Sequence, residues 1–211
     1  MLKAPIIGIS RHRLSVDGEG VTTLVAFHGC TLRCRYCLNA QCLHPDGILR
    51  EVATDELAEE LAIDNLYFLA TGGGVTFGGG EPLLRSEFID EFCRIKVPEW
   101  KVNIETSLNI DRKHLERVLP HINQFFIDIK DTNPTIYKEY TTRDNTQVLN
   151  NLRWLLQHEG MAEKIIVRLP HIPNHNTQAD IDRSRTLLEE MGVKHFDEFD
   201  YIVKREEVKR K

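Results

Sequence analysis

The 211-residue sequence predicts an α/β protein: an open, incomplete (β/α)6 TIM-like barrel of parallel strands with outer helices. Three observations predict it. Short apolar runs rich in β-branched and aromatic residues alternate with amphipathic stretches. The chain is shorter than the about 250 residues of a closed eight-fold barrel. And the residues able to do chemistry fall where the apolar runs end, which is where parallel sheets collect their sites.

The predicted strands, in order, are "TTLVAFHG" (22–29), "GVTFGG" (74–79), "KVNIET" (101–106), "QFFIDIK" (124–130), "KIIVRL" (164–169) and "FDYIV" (199–203). The helices lie between them. Residues 54–69 place Leu57, Leu61, Leu66 and Leu69 near helical spacing after a Thr54 cap. Residues 86–96 carry Phe88, Ile89, Phe92 and Ile95; residues 111–119 carry Leu115, Val118 and Leu119. Residues 145–159, with Val148, Leu149, Leu152, Leu155 and Leu156, stop at Gly160, and 178–191 stop at Gly192. No Pro, Ser or Gly-rich linker interrupts the chain, so residues 1–203 read as one domain and the charged "KREEVKRK" (204–211) as a tail.

Charge and composition remove several function classes. A formal charge of −5 favours neither nucleic acid nor an anionic membrane. The longest apolar runs are far too short to span a bilayer, and the N-terminus lacks the apolar core of a signal peptide. Five cysteines, an odd number, in a chain of this size argue against a disulfide framework. The expected location is the cytoplasm.

Three of the cysteines are spaced C-x3-C-x2-C in "FHGCTLRCRYCLN": Cys30, Cys34 and Cys37, with Gly29 free to turn the backbone. Thiolates in this number suit an iron–sulfur cluster with one iron left open, or zinc with His28 or His44 as fourth ligand. Cys93, on a predicted helix, is expected to pack as a small apolar residue, and Cys42 is not taken as a ligand. "TGGGVTFGGGEP" (71–82) lacks the Lys-Ser or Lys-Thr of a P-loop and is not G-x-G-x-x-G. Its first Gly triplet reads as a turn. Its second, beside Glu81, lets an amino-acid-like group approach the backbone. "HIPNHN" (171–176) has two His four apart, but it contains Pro173 and follows a strand, so it reads as a surface loop that could face a partner.

"CTLRCRYC" followed by "GGGEP" resembles the radical S-adenosylmethionine (SAM) enzymes. "VDGEG" (16–20), "GGGVTFGGGEPLL" (72–84) and "DIK" (128–130) narrow the resemblance to activating enzymes of glycyl radical enzymes, of the pyruvate formate-lyase activating type, in a short single-cluster form. The resemblance runs from about residue 5 to about 200. It implies a [4Fe-4S] cluster on Cys30, Cys34 and Cys37, with the open iron bound by SAM. It places Tyr36 and Leu38 against the adenine, and Gly79, Gly80 and Glu81 at the methionine amino group. Asp128 and Lys130 would lie near the ribose and carboxylate, Glu105 would stand for an Asp of close relatives, and Arg168 would match an Arg on the fifth strand. The implied reaction is reductive cleavage of SAM to a 5′-deoxyadenosyl radical, which takes a hydrogen atom from a glycine of a partner enzyme.

The resemblance further implies flavodoxin or ferredoxin as electron donor, no nucleic acid or membrane partner, and a monomer. Relatives carry a late His that contacts SAM. Here the region reads "FDEFDYIV"; His195 lies too early and Tyr201 is the substitute. Two alternatives stand beside this reading: a small-molecule radical SAM enzyme of the carboxydeazaguanine synthase type, and a zinc- or cluster-binding module without catalysis.

Overall fold

The computed structural model describes residues 1–201 and 203, so the predicted tail at 204–211 lies outside the described residues. The described strands are β1 (Lys3–Leu14), β2 (Val21–Phe27), β3 (Arg50–Ala53), β4 (Gly74–Gly79), β5 (Lys101–Thr106), β6 (Gln124–Asp128), β7 (Ile165–His171) and β8 (His195–Asp200). They form a single eight-stranded sheet in the order β3-β1-β2-β4-β5-β6-β7-β8. From β2 to β8 every neighbouring pair is parallel, giving the six expected parallel strands. β1 and β3 extend the sheet antiparallel at the β2 side. β3 and β8 are the two edges, so the barrel is open.

The helices follow the strand ends: α1 (Thr54–Leu61), α2 (Asn65–Thr71), α3 (Ser86–Ile95), α4 (Arg112–Val118), α5 (Pro134–Thr141), α6 (Thr146–Leu156), α7 (Met161–Lys164) and α8 (Gln178–Glu190). Side chains alternate across each strand. One set, including Val25, Phe27, Val75, Phe77, Val102, Ile104, Phe125, Ile127 and Val167, is buried in the core with Leu57, Phe88, Phe92, Leu115, Leu152 and Leu188 of the helices. Phe77 meets Phe27 and Phe92 at centroid distances of 5.4 and 5.3 Å. The other set mixes apolar Leu24 and Phe126 with Thr76, Asn103, Glu105, Asp128 and Arg168 and faces the barrel interior.

The "VDGEG" loop between β1 and β2 closes one end of that interior. Asp17 is fully buried. Its backbone oxygen accepts from Thr76 Oγ1 at 2.6 Å and Asn103 Nδ2 at 3.3 Å, and its carboxylate accepts from Thr22 Oγ1 at 2.5 Å and from Arg13 Nε. Gly18 takes φ +152, and a Cβ there would lie 2.2 Å from Asn103 Nδ2, so only glycine fits.

Four sequence expectations are corrected. The last strand is His195–Asp200 rather than 199–203; as an exposed edge it lacks the apolar run used to find strands. The helix expected at 54–69 is broken by a tight turn at Ala62–Asp64, where Asp64 is drawn to Arg11 at 2.5 Å and Thr23 at 2.8 Å. Thr54 is its first helical residue, not its cap. Leu66, Leu69 and Ile95 are exposed, and Phe68 is the buried residue of α2.

Candidate active site

The cysteine loop leaves β2 at Phe27 and is tied down along its length. Gly29 turns the chain at φ +100, and its N–H donates to the Cys42 carbonyl at 2.9 Å. Arg33 N and Arg35 N donate to the carbonyls of Thr141 (3.0 Å) and Tyr140 (3.1 Å) at the end of α5. Arg33 Nη1 donates to the carbonyls of Cys30 and Leu32, both at 2.9 Å. A helix C-terminus with unsatisfied carbonyls is a ready partner for loop amides, and α5 uses its end in this way.

The end of β4 packs against this loop through glycine. Gly80 N donates to Phe27 O at 2.9 Å and Glu81 N to Gly29 O at 2.8 Å. A Cβ on Gly80 would lie 2.1 Å from Gly29 O. Gly79 has φ +93, and a Cβ there would meet the Ala26 backbone at 2.8 Å. The residues must be glycines because backbone lies where side chains would go.

A cavity of about 410 Å³ opens at the carboxyl ends of the strands. Cys30, Cys34 and Cys37 line it together with Leu38, Gly79, Gly80, Glu105, Asp128, Lys130 and Arg168. Arg168 Nη1 bonds Glu105 Oε1 at 2.7 Å, Nη2 donates to Val16 O at 2.8 Å, and Nε lies 3.5 Å from Asp197. Its guanidinium sits 4.7 Å from the Phe126 ring centroid. Lys130 Nζ lies 3.4 Å from Asp128 Oδ2 and 5.7 Å from the Tyr201 ring.

Burial sets the protonation of these groups. It pushes the Cys30 thiol up to about 12, with the Glu81 charge adding to it. It pushes Cys34 up to about 11, with Lys130 pulling the other way. Burial raises Glu105 above the usual carboxylate range against the opposing pull of Arg168. Burial would lower Lys130, but Asp128, Cys34 and Tyr201 outweigh it, so this lysine holds its proton more firmly than usual. Lys130 is thus a buried fixed cation facing the cysteine trio.

Two of the expected contact residues do not line the cavity. Glu81 is buried and does not line the cavity; its carboxylate accepts from Thr106 Oγ1 and Ser107 Oγ, both at 2.7 Å, and from Ser107 N at 3.0 Å. It joins the end of β4 to β5. The Tyr36 ring turns to Tyr140 and His175, at 6.1 and 5.6 Å, and is not a lining residue. His28 Nε2 is hydrogen-bonded to the His44 carbonyl at 2.8 Å, and neither histidine lines the cavity. Among the described residues, no three His, Cys, Asp or Glu side chains gather tightly enough to hold a single metal ion.

"HIPNHN" is a buttress more than a free surface loop. Asn176 is buried; its Oδ1 accepts from Ile172 N at 2.6 Å, and its Nδ2 donates to Pro170 O at 3.1 Å and Lys130 O at 3.4 Å. Cys93 packs against the core, and Cys42 is buried under the cysteine loop.

Several lining residues had no sequence expectation. Asn39, directly after the cysteine run, donates from Nδ2 to Gly79 O at 3.0 Å and links the loop to β4. Arg13, Val16 and Asp197 also line the cavity. Tyr201, the one of these with an expectation as the stand-in for the relatives' late His, lines it too, and its hydroxyl donates to the Tyr36 carbonyl at 2.8 Å. The N-terminus of α5 carried a readable signal: Asn133 Oδ1 accepts from Thr135 N at 2.9 Å, and Pro134 follows.

Comparison with known proteins decides the family. The model of the Radical SAM superfamily matches residues 24–183. The chain belongs to the radical SAM superfamily. It is 35% identical over 163 residues to the (2S)-3-sulfopropanediol dehydratase activating enzyme of Klebsiella oxytoca, covering 75% of this chain and 49% of that protein. It is 31% identical over 173 residues to the pyruvate formate-lyase-activating enzyme of Staphylococcus aureus (strain USA300), covering 79% of this chain and 68% of that one. The chain therefore spans about half to two thirds of these relatives.

Two solved structures agree with this chain in architecture. Streptococcus suis SuiB bound to S-adenosylmethionine aligns with TM-score 0.62 at 13% identity, over 85% of this chain and 42% of that one. The anSMEcpe structure with bound AdoMet aligns with TM-score 0.59 at 18% identity, over 82% of this chain and 48% of that one.

Proposed function

We propose that this chain is a glycyl radical enzyme activating enzyme: it cleaves SAM reductively at a [4Fe-4S] cluster and installs a radical on a glycine of a partner of the pyruvate formate-lyase type. The observation that carries the reading is the shared cavity. Cys30, Cys34 and Cys37 face the same space as the Gly79–Gly80 backbone and the charged wall of Glu105, Asp128, Lys130 and Arg168. The first relatives' names, both activating enzymes, favour it over a small-molecule radical SAM enzyme.

The residues fit the group. Three thiols in one tethered loop supply the soft ligands an iron–sulfur cluster takes, and leave one iron for another ligand. The glycine edge of β4 lets an amino acid approach the backbone. Lys130, a cation wedged between Asp128 and the cysteines, would pair with the cofactor's carboxylate. Asp128 and Glu105 would balance the sulfonium and hold ribose hydroxyls, with Arg168 fixing Glu105. Leu38, 43% exposed at the mouth, offers apolar surface to the adenine. Glu81 acts through Thr106 and Ser107 by fixing the β4–β5 junction. Held by Cys30, Cys34 and Cys37, a [4Fe-4S] cluster would supply the electron for reductive cleavage of SAM, the chemistry from which the partner's glycyl radical would come.

Among the described residues no helix is long and apolar enough to cross a membrane. A cytoplasmic monomer served by flavodoxin or ferredoxin is the setting we propose. The test is anaerobic reconstitution, reduction in the presence of SAM, and an assay for 5′-deoxyadenosine, then addition of a pyruvate formate-lyase-type partner and electron paramagnetic resonance. Cofactor scission and a glycyl radical signal are expected. A loaded, reduced protein that leaves SAM intact would refute the proposal.

A further inference from the structure

Helix α5 meets the cysteine loop at Cys34. The residues on either side of that cysteine are tied to the last carbonyls of the helix: Arg33 N donates to Thr141 O at 3.0 Å and Arg35 N to Tyr140 O at 3.1 Å. Tyr137 lies one turn earlier, and spacings of three and four put 137, 140 and 141 on one helix face. Thr141 Oγ1 closes that turn by donating to Tyr137 O at 2.7 Å. Tyr137 is therefore carried on the face of α5 that meets Cys34.

Tyr137 is 0% exposed, and its ring packs into the core. Among the described residues its buried hydroxyl has no hydrogen-bond partner. A buried hydroxyl left unpaired costs stability, and a phenylalanine of nearly the same shape would avoid the cost. The surroundings of this hydroxyl are those of the site. Burial holds its proton on, and the charges of Cys34, Glu81, Cys30 and Asp128 add to that, Cys34 the most. Tyr140 shares the helix face but not the surroundings. Its ring meets Tyr36, His175 and Tyr201 at 6.1, 5.0 and 6.4 Å, and after burial the Tyr201 hydroxyl bears on it before Cys34 does. A protonated thiol is a weak acceptor, whereas a ligating thiolate is a strong one. The partner that Tyr137 lacks is one the loop would gain by binding iron.

We propose that the Tyr137 hydroxyl donates a hydrogen bond to the Cys34 sulfur when that sulfur is a cluster ligand, and so sets the potential at which the cluster accepts its electron. The inference rests on the cluster reading above. A donor aimed at a ligand sulfur favours the reduced state, which carries more negative charge, and raises the potential. Tyr137 does not line the cavity, so it is a tuning residue that acts through Cys34 and not on SAM.

The test compares the full chain with Tyr137→Phe, which keeps the ring and removes the hydroxyl, with and without the cluster. After anaerobic reconstitution, and without SAM, a redox titration followed by electron paramagnetic resonance reads the potential. At one fixed poise the ratio of reduced to oxidised cluster is expected to be about tenfold lower in Tyr137→Phe, a fall of about 59 mV. In the metal-free chain the same substitution should raise the melting temperature, because it removes an unpaired polar group. Tyr140→Phe should leave the potential at that of the unmodified chain. Equal potentials in the iron-loaded unmodified chain and Tyr137→Phe would overturn the inference and leave the cluster reading standing. An equal shift in Tyr140→Phe would overturn it by assigning the effect to any hydroxyl lost from α5. A lower melting temperature in metal-free Tyr137→Phe would overturn it by showing that the hydroxyl already has a partner in the protein. Failure of the cluster reading shows separately, as an unmodified chain that retains no iron, and the inference falls with it.

Discussion

The two walls of the cavity are built differently. On the β2–β4 side the wall is backbone: the cysteine loop, Gly79 and Gly80 meet through amide–carbonyl bonds at distances no side chain would allow. On the β5–β8 side the wall is charge: Glu105, Asp128, Lys130, Arg168 and Asp197 pair with one another. The backbone wall has one shape and tolerates no added atom. The charged wall stores its ions in pairs. On the function proposed above, the first wall would fix the reacting atoms and the second would match the cofactor's charge.

That difference can be broken at Gly80. Gly80→Ala puts a methyl 2.1 Å from the Gly29 carbonyl, and overpacking against backbone should cost about 3 kcal/mol. Denaturant melts of the metal-free chain should show the loss, and iron retention should fall with it.

On the charged wall the largest effect is expected at Arg168. Arg168→Leu leaves Glu105 enclosed without its partner and should cost about 2 kcal/mol, less than a fully buried pair because the cavity admits water. Replacing both residues with leucine should recover most of that stability while leaving SAM affinity poor. A double variant as unstable as the single one would contradict the account of this wall.

The thiols give a pH dependence with a defined sign. Cys30 and Cys93 are both held up to about 12 from an ordinary 9.0, mainly by burial. A raised pKa means the folded chain keeps a proton that the unfolded chain has lost. Their contribution is intact below pH 9 and is lost as pH climbs toward about 12. The melting temperature of the metal-free protein should fall across that window, and Cys93→Ala should shrink the fall.

The smallest effect is expected at Tyr201. Tyr201→Phe removes the hydroxyl that donates to the Tyr36 carbonyl and should cost about 1 kcal/mol. Its ring stays over Lys130, so SAM affinity should change less than in Tyr201→Ala.

The strands buried on both faces were legible because they read as apolar runs, as with "GVTFGG" and "QFFIDIK". β1 was not: it pairs antiparallel, alternates in burial and ends in charged residues. β8 was misplaced for a related reason, its outer residues being water-exposed. In the site, positions fixed by spacing, such as the three cysteines and Gly79–Gly80, reached the cavity together. Side-chain direction was not legible: nothing in "GGGEP" tells that Glu81 turns to Thr106 and Ser107, and nothing in "CRYC" that Tyr36 turns to His175. Those choices depend on partners more than twenty residues away.

The most direct measurement of the central claim is iron and sulfide content set beside SAM scission in anaerobically reconstituted chain and in Cys30→Ala, Cys34→Ala and Cys37→Ala. The account predicts equal iron and sulfide with scission in the unmodified chain, and loss of scission in each alanine variant. A chain that takes up zinc without sulfide, or any one of the three variants that still cleaves SAM, would contradict it.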